Sequence, residues 1–238
     1  MRSPYGLDLT ESCRDCEMRS KSFFCDLAPA ALKAFEAIKY TTAYPEGAVL
    51  FVEGQPPRGV FMLCRGRVKI SITSSEGKTI ILRIAQPGEV LGLNAAVSGT
   101  PYQATAEMLE PCQVNYIRRE DLLRYLREHG EASIHAAQQL SASYHTACEQ
   151  IRSLGLSQSA PQKLGRFLLD WASKGQPTPQ GIRVTLALTH EEIGQIIGSS
   201  RETVTRTLGE LKHNDLVAFH GSTLLIQNRI ALESFVGS

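Results

Sequence analysis

The chain has 238 residues, 42% of them hydrophobic and 21% charged, with 25 Lys and Arg against 24 Asp and Glu for a formal net charge of +1. That length suits two modest domains with real cores, and the near-neutral balance excludes a polybasic nucleic-acid coat, so any DNA affinity must come from locally placed charge. No apolar run of about 18 residues occurs, so no membrane span is expected, and MRSPYGLDLTESCRDC at the start lacks an apolar signal core, which makes a reducing cytoplasm the expected location.

Residues 1–26 form a cysteine-bearing segment. Cys13, Cys16 and Cys25 are spaced C-x2-C-x8-C. A C-x2-C pair can place two thiolates on one metal centre, and a third cysteine nine residues later can return to it. Arg14, Arg19 and Lys21 lie nearby and favour the thiolate form. In a reducing compartment this cluster points to metal or redox chemistry rather than a disulfide framework. The spacing leaves an iron–sulfur centre, zinc and a thiol switch all open. Asp15, Asp26 or a histidine could complete a site.

Residues 27–118 read as β structure. Short alternating runs (AVLFVEG, GVFMLCRGRVKISI, KTIILRIA) are separated by turn residues at Glu53-Gly54, Arg65-Gly66, Glu76-Gly77 and Pro87-Gly88. Such spacing predicts a roll or barrel of antiparallel strands. Cys64, inside the apolar FMLCRG, reads as a core residue.

Residues 119–156 read as a long helix. Arg119–Leu154 contains no proline and one glycine, Gly130. Ile134, Ala137, Ser141, Tyr144, Cys148, Ile151 and Gly155 recur at spacings of 3 and 4, a heptad seam. The seam suits either packing on the β domain or a parallel dimer helix. Cys148 reads as seam packing. GLSQSAP at 155–161 is the expected hinge. Beyond it come an amphipathic helix over Pro161–Ser173, with Leu164, Phe167, Leu168 and Trp171 inward, a loop at Lys174–Gly181 and the strand-like IRVTLAL.

Residues 157–238 carry the most specific signal, LTHEEIGQIIGSSRETVTRTLGEL. Thr189 and Glu192 form a Thr-x-x-Glu capping box, Ile193, Ile196 and Ile197 give an apolar face, and Gly198 ends the helix. Ser199 and Glu202 repeat the capping pattern for a second helix. Val204, Leu208 and Leu211 form its buried stripe, leaving Arg201, Glu202, Thr205 and Arg206 to face outward. Asp215–Ala218 and Thr223–Ile226 read as two strands around His220-Gly221-Ser222. The result is a winged helix-turn-helix. Arg reads guanine O6 and N7, and Glu accepts from the cytosine amino group. Thr203, Thr205 and Thr207 are candidate phosphate contacts; Glu202 also has a capping role open to it.

No nucleophile elbow, phosphate loop or H-E-x-x-H motif occurs, and no enzyme is expected. The six histidines offer no metal motif; His135 and His145 are ten residues apart. His190 and His213 flank the reader as phosphate or solvent contacts.

EEIGQIIGSSRETVTRTL and HGSTLLIQN resemble the DNA-binding unit of the Crp/Fnr family of bacterial transcription regulators. The resemblance implies an α+β chain: an N-terminal antiparallel β-roll of the cyclic-nucleotide-binding kind, a long dimerisation helix and a C-terminal winged helix-turn-helix. It implies a homodimer acting with RNA polymerase on palindromic double-stranded DNA. Arg201 and Arg206 would donate to guanines and Glu202 accept from cytosine, with Ser199, Thr203 and Thr205 as further contacts. Arg201 points to a TGTGA-like half-site over TTGAT. CRDC followed by Cys25 resembles the N-terminal segment of the oxygen-sensing Fnr branch, which implies a [4Fe–4S] cluster on Cys13, Cys16 and Cys25, sensing oxygen, nitric oxide or redox state. The familiar branch has five residues, not eight, before its third cysteine. Its fourth cysteine aligns near Asn115, which leaves Cys112 as the nearest cysteine on that strand. If 112–116 is a strand, positions 112 and 115 face opposite ways.

Cyclic AMP is not expected as the signal. Members that bind cyclic nucleotides use a Gly-Glu pair for the ribose and an Arg-Ser pair for the phosphate. Here Gly92 is followed by Leu93, Tyr102-Gln103 stands where Arg-Ser belongs, and no Lys or Arg lies from Gly88 to Glu110. A buried phosphate needs a cation or dense N–H donors.

Overall fold

The computed structural model describes residues 4–17, 19, 23–155, 159–173 and 175–237. Two compact units emerge, Met1–Ala147 and Cys148–Ser238.

The first unit is an antiparallel β-roll of two four-stranded sheets. Strands β1 (Lys39–Tyr44), β8 (Cys112–Arg118), β3 (Gly59–Arg65) and β6 (Val90–Leu91) form one sheet in that order. Strands β2 (Val49–Phe51), β7 (Thr105–Met108), β4 (Val68–Thr73) and β5 (Thr79–Ala85) form the other. Alternation along each strand sends one set of side chains between the sheets and the other outward. Phe61, Leu63, Cys112 and Val114 point into the inter-sheet core with Phe51, Val68 and Met108. Val60, Met62 and Ile117 instead join a second core with Leu32 and Phe35 of α1 (Pro29–Ile38), Leu93 and Ala96 of α2 (Leu93–Ser98) and Leu122 and Tyr125 of α3 (Arg119–Glu128). The Tyr125 hydroxyl donates to the Ala31 carbonyl at 3.1 Å, which ties the two helices together.

The N-terminal segment is fastened over this second core. Thr10 and Gln113 exchange two hydrogen bonds, Thr10 N–H to Oε1 at 2.9 Å and Nε2 to the Thr10 carbonyl at 2.6 Å. Lys39 Nζ donates to the Glu11 carbonyl, and Cys13 N–H donates to Glu36 Oε1 at 2.8 Å. Arg19 donates to the carbonyls of Cys25 and Leu27. Phe24 and Leu27 are 1% and 2% exposed, and full burial of such side chains contributes about 1.5–3 kcal/mol each.

The helix expected from Arg119 to Leu154 is two helices. The first ends at His129, which leaves helical geometry at φ −125°, ψ 91°, and α4 (Gly130–Gly155) restarts there. The helix-permissive composition is unbroken, so tertiary packing of Leu122 and Tyr125 on one side and Ala132 and Ala136 on the other sets the break. Gln139 pins α4 to the edge strand β6: its Oε1 accepts from Val90 N–H at 3.0 Å and its Nε2 donates to the Val90 carbonyl at 2.7 Å. Ala132, Ala136 and Gln139 are buried, whereas the seam residues Ile134, Tyr144 and Ile151 are 60%, 69% and 70% exposed.

The second unit joins α5 (Ala160–Ala172), α6 (His190–Ile197), α7 (Arg201–His213) and α8 (Arg229–Gly237) to a sheet whose strands lie in the order β11 (Val217–His220), β12 (Thr223–Ile226), β10 (Gly181–Thr185) and β9 (Gln176–Thr178). Part of the expected hinge at 155–161 and one residue of the 174–181 loop lie outside the described residues; α5 starts on a capping box at Ser159 and Gln162. Within that loop Gln176–Thr178 is a strand, β9, paired with β10 (Gly181–Thr185). Pro177 tolerates this because β9 lies at the sheet edge. The first wing strand, β11, runs Val217–His220 rather than from Asp215, whose positive φ of 53° belongs to a turn; β12 is Thr223–Ile226.

Candidate nucleic-acid interface and cysteine site

Local sequence builds the DNA-reading helix. Both halves of the Thr189 and Glu192 capping box form: Glu192 N–H donates to Thr189 Oγ1 at 3.2 Å and Thr189 N–H to Glu192 Oε2 at 2.8 Å. Gly198 ends α6 at φ 67°, ψ 42°, a left-handed conformation that costs glycine nothing sterically. A Cβ on Gly194 would come within 2.7 Å of the Ser199 carbonyl oxygen, so a glycine there lets the turn fold tightly against α6.

The start of α7 differs from the expected Ser199–Glu202 box. Ser200 is the N-cap, its hydroxyl accepting from Thr203 N–H at 3.2 Å, while Ser199 N–H donates back to Gly194. One residue of turn is needed after Gly198 before the chain can re-enter a helix. Glu202 is thereby released from the reciprocal capping role. Its carboxyl is held below the ordinary range by a bond from its own backbone N–H and by Ser200, so it is an anionic acceptor throughout the neutral range. A carboxylate in a helix's first turn also suits the macrodipole.

Val204, Thr207, Leu208 and Leu211 face the core. Arg201, Glu202, Thr205 and Arg206 are exposed on the opposite face. Thr205 Oγ1 donates to the Arg201 carbonyl at 2.9 Å and lies 2.9 Å from His190 Nδ1, a link from α7 back to the start of α6. His190 therefore serves the clasp between helices. Thr207 is 1% exposed; its position on the buried stripe corrects its expected role as a phosphate contact. Thr203 is half-buried and near Ser200, and Ser199 is half-buried in the turn. In the last turn of α7, Lys212 lies 5.0 Å above the ring of Phe219 in the wing.

The cysteines separate into two settings. Cys13, Cys16 and Cys25 line one small cavity of about 20 Å³ together with Phe24, Met62, Leu63, Asn115 and a fourth cysteine, Cys64. Cys112 is elsewhere. It is fully buried in the inter-sheet core, and its thiol approaches the carbonyls of Glu110 at 3.1 Å and Arg67 at 3.5 Å. The reason is strand alternation: Gln113 and Asn115 face the N-terminal segment, Cys112 and Val114 the other sheet. Cys64, read as core from its apolar run, is half-buried at the cavity instead.

Pairing explains where Cys64 points. Leu63 is opposite Val114 and Arg65 is opposite Gln113, so Cys64 is the extra residue of a β-bulge. It shares the face of Met62 and lies beneath the N-terminal segment. Asn115 Nδ2 donates to Cys64 Sγ at 3.1 Å, and Asn115 Oδ1 accepts from Thr41 Oγ1 at 2.8 Å. Burial, with the neighbouring Cys13, Cys25 and Cys16, pushes the Cys64 thiol up to about 12, and burial also raises that of Cys13. Among the described residues no group of three or more His, Cys, Asp or Glu is placed to hold a metal ion as it stands; the four cysteines only line one cavity.

The β-roll has a separate, larger cavity of about 580 Å³, lined by Tyr44, Phe51, Phe61, Tyr102 and Tyr116 with Arg58. Tyr102 is 4% exposed, stacks on Phe51 at 4.1 Å between ring centroids, and donates its hydroxyl to the Gly59 carbonyl at 2.7 Å. Its ring lies 2.7 Å from where a Cβ on Gly92 would stand. Asn94 and Gln103 pair with each other at 2.9 Å. A phenol and neutral amides thus fill the stretch where the family resemblance would place phosphate-binding groups.

Comparison with known proteins places these features in a family. Residues 41–129 match the cyclic nucleotide-binding domain family and residues 162–235 the Crp-like helix-turn-helix domain family. The chain is 28% identical over 211 residues to the global nitrogen regulator of Synechocystis sp., covering 87% of this chain and 89% of that protein. It is 25% identical to the CRP-like cAMP-activated global transcriptional regulator of Mycobacterium tuberculosis, covering 86% and 92%. Its fold resembles the solved structure of FixK2 from Bradyrhizobium japonicum, with a TM-score of 0.74 at 22% identity over 83% of this chain and 97% of that one. It likewise resembles a CooA mutant from Carboxydothermus hydrogenoformans, with a TM-score of 0.73 at 22% identity over 89% and 91%. From the β-roll to the wing, this chain belongs to the Crp/Fnr family of DNA-binding transcription regulators.

Proposed function

We propose that the chain is a homodimeric, cytoplasmic transcription regulator that binds palindromic DNA with TGTGA-like half-sites, recruits or blocks RNA polymerase there, and is governed by a [4Fe–4S] cluster held by its N-terminal cysteines. The observation that carries the DNA reading is the exposed Arg201, Glu202 and Arg206 on the first two turns of a helix whose other face is fixed in a core. Two guanidinium groups and an ionised carboxylate at that tip suit guanine and cytosine edges in the major groove. A dimer sets two such helices about one DNA turn, roughly 34 Å, apart. The exposed seam on α4 supports a parallel pairing of helices.

The sensor reading rests on four thiols facing one apolar-walled cavity, with an amide N–H aimed at one of the sulfurs. Such a donor set suits soft metals and iron–sulfur centres. A cluster bound there would supply an oxidant-sensitive bond between the segment and the roll. The chain's own residues do the rest: Glu36, Lys39 and Gln113 hold the segment in place, Phe24 and Met62 exclude water, and Asn115 donates to sulfur. As it stands the cavity has room for about one water-sized body, less than a cluster needs, which favours a single zinc ion as the second reading. A third reading, a non-nucleotide small ligand, is favoured by the aromatic cavity beside Arg58.

Fluorescence anisotropy on a palindromic TGTGA duplex and a scrambled one, with protein purified without oxygen and after air exposure, tests the whole proposal. Sequence preference without oxygen and its loss in air is the expected result. Equal grip on both duplexes in every state overturns the DNA reading. A colourless, iron-free sample after anaerobic reconstitution overturns the cluster.

A further inference from the structure

Resting on the reading of the N-terminal cysteines as a metal site, we propose that Cys64, at the bulge of β3, is the fourth thiolate that completes the site with Cys13, Cys16 and Cys25. All four line the same cavity. The bulge between Leu63 and Arg65 sets Cys64 apart from the ladder, as bulges do where a strand re-aims a side chain for function. The segment carrying the other three cysteines is tied to this face by Thr10 on Gln113, Lys39 on Glu11 and Glu36 on Cys13.

Other donors are excluded by where they lie. Cys112 faces the inter-sheet core, with its thiol against the Glu110 and Arg67 carbonyls. Cys148 lies on α4 and does not line the cavity. Asp15 and Asp26 are exposed and do not line the cavity. Glu36 Oε1 is taken by the Cys13 backbone, and its Oε2 faces Arg14 at 3.6 Å. On β8 the position facing the cavity is Asn115, an amide that cannot replace a thiolate but donates to the Cys64 sulfur. Where the resemblance would place the fourth cysteine, near Asn115 on β8, this chain has an N–H donor, and the thiol stands on the adjacent strand β3. Each thiol gives its proton to solvent as its sulfur takes the metal, so loading releases protons and tightens with rising pH.

Anaerobic reconstitution of the full chain with ferrous iron and sulfide tests this, reading iron, sulfide and zinc per chain, visible absorption and electron paramagnetic resonance. Cys64→Ser is expected to lower metal per chain severalfold, while Cys112→Ser and Cys148→Ser keep the wild-type content. Asn115→Cys added to Cys64→Ser is expected to restore the centre, because that position lies within hydrogen-bond reach of the lost sulfur. Full metal in Cys64→Ser, or loss in Cys112→Ser in its place, overturns the assignment. So does a loss in Cys64→Ser that comes with lowered thermal stability of the metal-free chain and no recovery in the double variant. A wild-type chain that takes up neither iron nor zinc instead sinks the underlying metal-site reading.

Discussion

Asn115 on β8 holds its amide nitrogen 3.1 Å from the Cys64 sulfur on β3, while its carbonyl oxygen takes the Thr41 hydroxyl at 2.8 Å. The residue is 1% exposed, so both halves of the amide are satisfied by neighbours across two strand pairs. A donor to sulfur stabilises a more negative centre. Asn115→Leu keeps the volume and removes the donor. Spectroelectrochemical titration of the reconstituted centre is expected to give a lower midpoint potential than wild type, with a stability loss of about 0.5–1.5 kcal/mol in urea unfolding. An unchanged potential would mean that the amide only braces Thr41.

Tyr102 makes a second prediction. It sits under Gly92, stacked on Phe51, and no Lys or Arg occurs from Gly88 to Glu110. Cyclic AMP at about 1 mM is expected to leave the thermal midpoint unchanged. Were the dissociation constant about 10 μM, that concentration would add about 2.7 kcal/mol, an upward shift of several degrees in a melting curve. Such a shift would mean that Tyr102 moves aside and backbone N–H groups bind the phosphate.

The DNA reader was legible in the sequence because its determinants are local. A capping box, a turn glycine and an apolar stripe spaced 4 and 3 each act within a turn or two of helix; the second cap moved from Ser199 to Ser200, and the first wing strand starts two residues later than expected. The alternation in AVLFVEG and GVFMLCRGRVKISI likewise marked the strands. Non-local relations were not legible. That Cys64 belongs with cysteines some forty to fifty positions earlier depends on the segment folding back across Gln113 and Glu36. The break at His129 depends on packing against α1 and β6, and the strand at Gln176–Thr178 on an edge left open by β10. One signal was available: a cysteine in an otherwise apolar strand, immediately before the Arg65-Gly66 turn, with three further cysteines in the N-terminal segment.

The exposed seam of α4 carries a third prediction. Ile134, Tyr144 and Ile151 are 60%, 69% and 70% exposed, while Ala132, Ala136 and Gln139 early in the helix are buried. Burying one such side chain contributes about 1.5 kcal/mol or more, and a two-fold axis counts it twice. Ile151→Glu is therefore expected to weaken dimerisation by about 3 kcal/mol, roughly a hundredfold in dissociation constant. Like charges meeting across the axis would add to that. Sedimentation equilibrium of the anaerobic protein measures it. An unaltered dimer would place the contact on another surface.

Gly194 and Gly209 separate the demands of folding from those of DNA on one short unit. A Cβ at position 194 would press on the Ser199 carbonyl oxygen at 2.7 Å, against backbone that cannot rotate away, whereas at 209 nothing lies within 4 Å. Gly194→Ala is expected to destabilise the second unit by 1 kcal/mol or more, about the lower end of overpacking costs. Gly209→Ala is expected to stabilise it by about 0.5–1 kcal/mol, the helical advantage of alanine over glycine. Position 209 lies three and four residues after Arg206 and Thr205, on the exposed face of α7, so the added methyl would meet the DNA backbone. The alanine variant should therefore melt higher yet bind every duplex more weakly, by the same factor on TGTGA-like and scrambled sequences. A loss confined to the specific duplex would show instead that position 209 lies over a base edge.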